Sequence, residues 1–229
     1  MNQGVQILSP AGGAVASQRN RVLRNTYWLL ALSMVPTVLG AWVGVQTGIA
    51  SAMSPGIGIV VFLAGAFGFM FAIEKTKNTA AGVPVLLAFT FFMGLMLARL
   101  LGVVLGLKNG TGLVMTAFAG TGVIFFGMAS VSSVIKRDLS QMGKFLFIGM
   151  VMLLVAMIAN FFIQSSALMI TLSVLAIGIF SLFILHDLKR VQDGLETNYI
   201  SATLGVYLSL YNVFSNLLAL LGIFGGERD

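Results

Sequence analysis

The chain from Tyr27 to Phe224 is almost continuously apolar, and its few charges fall in short clusters between hydrophobic runs. Hydrophobic residues make up 58% of the sequence and charged residues 9%, against about 25% charged residues in a typical soluble domain. A soluble fold of 229 residues would need far more polar surface than this. The sequence therefore predicts a polytopic membrane protein.

The lengths of the runs predict the number of spans, because about 20 apolar residues cross a bilayer core as a helix. The runs lack the alternation of polar and apolar residues that a membrane barrel requires. We therefore predict an all-α membrane protein, a seven-helix bundle within a domain of residues 19–229. Its transmembrane helices are expected at about 27–47, 55–73, 83–106, 111–135, 145–163, 167–187 and 199–224.

Basic residues occupy every second connection, starting from the N-terminus, and the other connections hold almost none. Because basic residues stay on the cytoplasmic side, this pattern predicts a cytoplasmic N-terminus and an outside C-terminus. The net charge of +6 then follows from topology and does not indicate a nucleic-acid partner. The clusters are Arg19/Arg21/Arg24, Lys75/Lys77, Lys136/Arg137/Lys144 and Lys189/Arg190.

Residues 1–18 are mostly small or polar and carry no charged side chain. They lack the apolar content to fold alone, so we predict a flexible cytoplasmic tail.

Small residues four apart predict close helix contacts in three spans. These pairs are Gly40/Gly44, Gly102/Gly106 and Thr116/Gly120.

The last span carries polar side chains on more than one helical face. Such groups are costly against lipid and are satisfied against neighbouring helices, which favours a central position for this helix. A peripheral helix with a single polar seam is the alternative. Ser209, Asn212 and Asn216 form one stripe, and Tyr207, Tyr211 and Ser215 form the other.

The sequence offers little for catalysis. Cysteine is absent, and the one histidine, His186, adjoins Asp187, although neighbouring residues on a helix do not face each other. No cluster of acids and histidines has metal-ligand spacing at membrane depth. We therefore predict no enzymatic activity, no metal site and no cofactor.

Two charges lie inside or at the end of apolar runs. Asp187 ends the sixth run, and an ionisable group at this depth is a candidate functional residue. The alternative is a boundary residue paired with Lys189, Arg190 or a helix end. Arg99 lies within the third run, where snorkelling of its side chain to the outer interface accounts for it.

Three stretches resemble the Bax inhibitor-1 family. His186-Asp187-Leu188, Glu196-Thr197-Asn198-Tyr199 and Tyr207-Leu208-Ser209-Leu210-Tyr211-Asn212 are similar to its sixth and seventh helices. The opening Arg24-Asn25-Thr26-Tyr27 resembles the bacterial inner-membrane branch, which includes modulators of the membrane-anchored ATP-dependent protease FtsH. The resemblance implies a seven-helix bundle with the C-terminal helix in the middle.

Several family members are linked to a pH-sensitive calcium leak, in which an aspartate in helix six and another in helix seven share a proton. Asp187 matches the first position, but Ser209 stands where the second aspartate is expected. A single carboxylate facing a serine lacks the like-charge repulsion of such a pair. Asp187 and Ser209 are thus candidates for a gate or a pH sensor, with Tyr207, Tyr211, Asn212 and Asn216 as the polar lining of the central helix.

Two functions follow from the resemblance. The first is a binding partner that modulates an FtsH-like AAA protease in the bacterial inner membrane, with the tail presented to the ATPase. The alternative is a calcium or proton leak channel gated by Asp187. Hard cations need several oxygen ligands, and the polar side chains of the last span could supply some of them. The partners expected are therefore the protease, the lipid bilayer and, for the leak, calcium.

Overall fold

The computed structural model describes residues 10–139 and 141–226. These residues form eight helices joined by short connections. The helices are α1 (Pro10–Thr47), α2 (Ile49–Ala52), α3 (Pro55–Thr76), α4 (Gly82–Leu105), α5 (Gly110–Val134), α6 (Met142–Ile163), α7 (Ser166–Gln192) and α8 (Tyr199–Gly226).

Seven of these helices are long and apolar enough to cross a membrane, and α2 is too short to do so. The described residues include no strand. The prediction of an all-α protein with seven helices able to cross a membrane is therefore confirmed in the described residues.

Two helices extend furthest beyond the predicted spans. Helix α1 begins at Pro10 rather than near residue 27, and α7 continues to Gln192 rather than ending near residue 187. Hydrophobicity marks where a helix leaves the hydrocarbon, whereas its backbone hydrogen bonds continue into water. Residues 10–18 of the predicted tail thus lie within α1, and residues 1–9 lie outside the described residues.

Helices α1 and α4 form the most extensive helix contact in the described structure. A Cβ atom on Gly40 would overlap the carbonyl oxygen of Phe91, and one on Gly94 would overlap that of Thr37. A Cβ on Gly44 would come 2.5 Å from the Cβ of Ala98. The predicted close approach at Gly40 and Gly44 is confirmed, and α4 contributes the facing glycine.

The other two small-residue pairs do not bring helices together. A Cβ on Gly102 would meet no atom within 4 Å, and one on Gly106 would meet only carbonyls of its own turn. A Cβ on Gly120 would make an ordinary contact of 3.4 Å with Leu217 Cδ1. The prediction was wrong for these pairs, because small-residue spacing permits a close crossing without supplying a partner helix.

Helix α8 packs against α1, α4, α5 and α7, with a smaller contact to α3. Its residues Val206, Tyr207, Val213 and Leu218 are almost fully buried. Helix α6, in contrast, packs mainly on α7 and exposes many large apolar side chains. Such a surface is compatible with lipid contact.

Polar side chains tie several helix ends together. Asn198, just before α8, donates its Nδ2 to the carbonyl oxygen of Lys77 at 3.1 Å and to Asn78 Oδ1 at 2.9 Å. Gln192, at the end of α7, donates its Nε2 to Ser132 Oγ on α5 at 2.9 Å. One end of the bundle therefore brings together four segments. They are the α3–α4 connection, the last turns of α5 and α7, and the start of α8.

The N-terminal part of α1 joins the same end through an apolar contact. Val22 packs with Val191 of α7 and Ala202 of α8, and all three are buried. The four basic clusters of the sequence thus belong to one end of the bundle, which we call the basic end. It comprises Arg19, Arg21, Arg24, Lys75, Lys77, Lys136, Arg137, Lys144, Lys189 and Arg190.

Candidate functional site

Asp187 lies on α7 at the contact with α8, near the basic end. Its side chain is 18% exposed. A Cβ atom on Gly205 would come 2.7 Å from Asp187 Oδ2. The carboxylate therefore lies against the α8 backbone at a position that only glycine leaves open.

His186 lies beside this carboxylate. Its Nδ1 is 3.3 Å from Asp187 Oδ1, and its side chain is 10% exposed. The expectation that these neighbours would not meet was wrong. Their Cβ atoms point about 100° apart around the helix, but the long imidazole bends back to the short carboxylate. A Cβ on Gly143 of α6 would come 2.7 Å from His186 Nε2. The ring therefore also lies against a glycine, where any side chain would leave it too little room.

The two cations after Asp187 have other acidic partners. Lys189 Nζ donates to Asp193 Oδ1 at 2.6 Å. Arg190 Nη2 lies 3.9 Å from Glu196 Oε2. The alternative in which Asp187 pairs with Lys189 or Arg190 is therefore not the arrangement found, and His186 is the partner of Asp187 among the described residues.

Ser209 is buried on α8, with 4% of its surface exposed. It lies four residues after Gly205, hence one turn further along the same helical face. No hydrogen bond joins Asp187 to Ser209 in the described structure. A gating or pH-sensing role for this pair stays a prediction.

Tyr207 is the most deeply buried of the predicted lining residues, with 1% exposed. Its hydroxyl lies 2.9 Å from Thr37 Oγ1 on α1 and donates to the carbonyl oxygen of Thr90 on α4 at 3.4 Å. Its ring packs edge-on against Phe89, with centroids 6.1 Å apart. Tyr207 thus connects α8 to both members of the α1–α4 pair.

The other lining candidates are only half-buried. Asn212 Nδ2 donates to the carbonyl oxygen of Leu208, and Asn216 Nδ2 donates to that of Asn212, both at 2.8 Å. Their amides are therefore satisfied by the preceding turn of α8 rather than by another helix. Tyr211 packs beside Tyr207, with ring centroids 6.4 Å apart.

Asn198 has a structural role that residue-by-residue reading of the sequence missed. Its Oδ1 accepts hydrogen bonds from the backbone N–H groups of Ile200 at 2.9 Å and Ser201 at 3.1 Å. Glu196 Oε1 in turn accepts from the Asn198 N–H at 2.9 Å. An asparagine just before a helix is a known capping signal, and it could have identified this residue.

Replacing Asn198 with alanine should destabilise the start of α8, because the cap and the link to the α3–α4 connection are lost together. A lost cap costs about 0.5–2 kcal/mol. The free energy of unfolding in a detergent–SDS titration measures the effect. Thr197→Ala is the matched control, since Thr197 is exposed. Equal stability of the two variants would contradict the capping role.

No three His, Cys, Asp or Glu side chains come together in the described residues in a way that could hold a metal ion. The arrangement at Asp187 offers a single carboxylate and one imidazole. Calcium as a partner gains no support from this geometry, because such a cation takes six to eight oxygen ligands.

Comparison with known proteins extends over nearly the whole chain. The family model described as "Inhibitor of apoptosis-promoting Bax1" matches residues 19–226. A protein of Pseudomonas aeruginosa is 38% identical over 216 residues, 93% of this chain and 95% of that protein. A membrane protein of Vibrio cholerae is 35% identical over 210 residues, 92% of each chain.

A third relative is the Escherichia coli K12 protein named modulator of FtsH protease YccA, 37% identical over 210 residues and 92% of each chain. Its counterpart in another E. coli strain is named an inner membrane protein. Together with the seven apolar helices, these matches make the chain a multi-pass protein of the bacterial inner membrane. It belongs to the Bax inhibitor-1 family.

Proposed function

We propose that this protein binds and modulates a membrane-anchored ATP-dependent quality-control protease of the FtsH type. The observation that carries this proposal is the 37% identity to the E. coli FtsH modulator over 92% of both chains. An alignment of 210 residues is too long to leave out any one of the seven apolar helices, so the similarity is not confined to one motif. We propose a binding role and no catalytic reaction.

The proposal includes an orientation, with the basic end and the N-terminus in the cytoplasm and the C-terminus outside. Its support is the gathering of the four basic clusters at one end, since basic residues are retained on the cytoplasmic side. The ATPase of an FtsH-type protease would then face the basic end. We also propose that α8 is the central helix, which its contacts with five other helices support.

Reporter fusions test the orientation. Fusions within 74–80, 136–144 and 188–197 should report a cytoplasmic location, and a fusion after residue 229 should report the outside. The reason is the retention of basic loops in the cytoplasm. If the C-terminus were also cytoplasmic, the chain would cross the membrane an even number of times. Seven spans would then be impossible, and α8 would not cross the membrane as proposed.

Affinity capture tests the function. The full chain, purified in mild detergent from cells that contain the protease, should co-purify with it, and overproduction should lengthen the half-life of a membrane-protein substrate. A variant lacking residues 2–9 keeps every described helix. If residues 2–9 are the part of the tail that the ATPase engages, this variant should still be captured but should itself be degraded more slowly.

Two results would contradict the proposal. One is capture of no protease above the level seen with an unrelated seven-span protein. The other is an unchanged substrate half-life at an expression level where the full chain is correctly inserted. Unchanged turnover of the shortened variant would contradict only the role given to residues 2–9.

A further inference from the structure

A groove of about 360 Å³ lies between α3, α4 and α8, at the end of the bundle opposite the basic end. Its size is within the range of small-molecule sites. Ile59 and Phe62 of α3, Met96 of α4 and Tyr211 of α8 line it, and Arg99 is its one charged residue. An apolar groove with a single cation is suited to an amphipathic anion.

The charge of Arg99 lies near the C-terminal end of α4. It is six residues before the end of α4 at Leu105, or about 9 Å along the helix axis. Its Nη1 donates to the carbonyl oxygen of Met53, in the connection between α2 and α3, at 3.4 Å. The long side chain thus reaches from the apolar part of α4 toward the membrane interface, as arginine side chains do in bilayers.

The guanidinium forms no ion pair with any residue that the structure describes. A guanidinium has five N–H donors, and the Met53 carbonyl accepts from one nitrogen. Five of the seven acidic residues belong to segments at the basic end, and the other two, Glu227 and Asp229, lie outside the described residues. The positive charge in the groove therefore lacks a counter-ion among the described residues.

The groove is continuous with the apolar surface of α3, where Ile57, Ile59 and Val60 are exposed. In a membrane-spanning helix this surface faces lipid. We infer that the groove binds one glycerophospholipid of the leaflet at this end, with its phosphodiester on Arg99 and an acyl chain between α3 and α4. Arginine and phosphate form strong charge-assisted hydrogen bonds, and the apolar lining accounts for the chain. This inference does not depend on the proposed protease partner.

Photolabelling tests the site on the full chain in mild detergent. The probe is phosphatidylglycerol with a diazirine in one acyl chain, and the readout is the labelled peptides around residues 55–62 and 93–99. Arg99→Gln should reduce labelling there by about tenfold or more, since it removes charged hydrogen bonds. Arg137→Gln, which removes an exposed arginine at the basic end, should leave it unchanged.

A second pair of variants tests the groove without changing any charge. The atom nearest to a Cβ on Gly58 is Arg99 Nη1 at 3.7 Å, so Gly58→Phe should fill the groove and reduce labelling. Gly68→Phe is the matched control on α3, because a Cβ there meets no atom within 4 Å. The unfolding midpoint of each variant shows whether it remains folded.

Four results would overturn the inference. They are equal labelling of Arg99→Gln and the native protein, equal labelling by a diazirine diacylglycerol that lacks phosphate, loss of labelling in millimolar inorganic phosphate, and labelling seen only after residues 227–229 are removed. The third would indicate a site for free anions. The last would assign Arg99 to a carboxylate of the C-terminus.

Discussion

Gly94→Leu should destabilise the protein by about 3 kcal/mol or more, near or above the upper end of the cost of overpacking a core. A Cβ at this position would overlap the carbonyl oxygen of Thr37 on α1. Because that atom belongs to the backbone, no side-chain rotation relieves the overlap, and α1 and α4 must move apart. The measurement is the free energy of unfolding in a detergent–SDS titration, followed by near-ultraviolet circular dichroism.

Gly102→Leu is the control for this prediction, since Gly102 lies on the same helix and a Cβ there meets no atom within 4 Å. Its effect should stay within about 0.5 kcal/mol, as for other surface substitutions. Equal destabilisation by the two substitutions would mean that leucine at any glycine of α4 is harmful. The close crossing at Gly94 would then not be the cause.

Tyr207→Ala should cost about 3–5 kcal/mol, the usual range for truncating a buried aromatic side chain. The ring is almost fully buried among α1, α4 and α8 and packs against Phe89. Its removal leaves a cavity at the junction of three helices. The same titration measures the loss, and the native protein and Tyr207→Phe are compared in parallel.

Tyr207→Phe separates the hydroxyl from the ring. It removes the hydrogen bonds to Thr37 and Thr90 but keeps the packing. Hydrogen bonds between membrane helices average about 0.6 kcal/mol, so this variant should lose only a fraction of what Tyr207→Ala loses. If Tyr207→Phe were as unstable as Tyr207→Ala, the polar contacts rather than the ring would hold the junction.

Part of the candidate site could be predicted from the sequence. Asp187 and Tyr207 were identified because an acid at the end of an apolar run and a tyrosine within one are costly unless another group receives them. The sequence could not identify the glycines against which the Asp187 and His186 side chains lie. Gly205 lies against Asp187, and Gly143 lies against His186. The chain has 27 glycines, and nothing in one sequence shows which of them faces a given side chain.

The amides of the last span show the same limit. Asn212 and Asn216 were predicted to line a central helix, yet both donate to carbonyls of their own helix. A periodic pattern shows which face a side chain leaves from, but a short amide can turn back to the preceding turn. The choice between these partners depends on what the neighbouring helix offers.

The sequence by itself determined that this protein lies in a membrane, that seven of its helices are long and apolar enough to cross it and that the basic clusters alternate between connections. These are one-dimensional properties, set by the length of apolar runs and by charge. The tertiary structure decided which helices meet. Gly40/Gly44 and Gly102/Gly106 have the same spacing, but only the first pair crosses another helix closely, because a close crossing needs a complementary surface on a second helix and no local pattern encodes that partner.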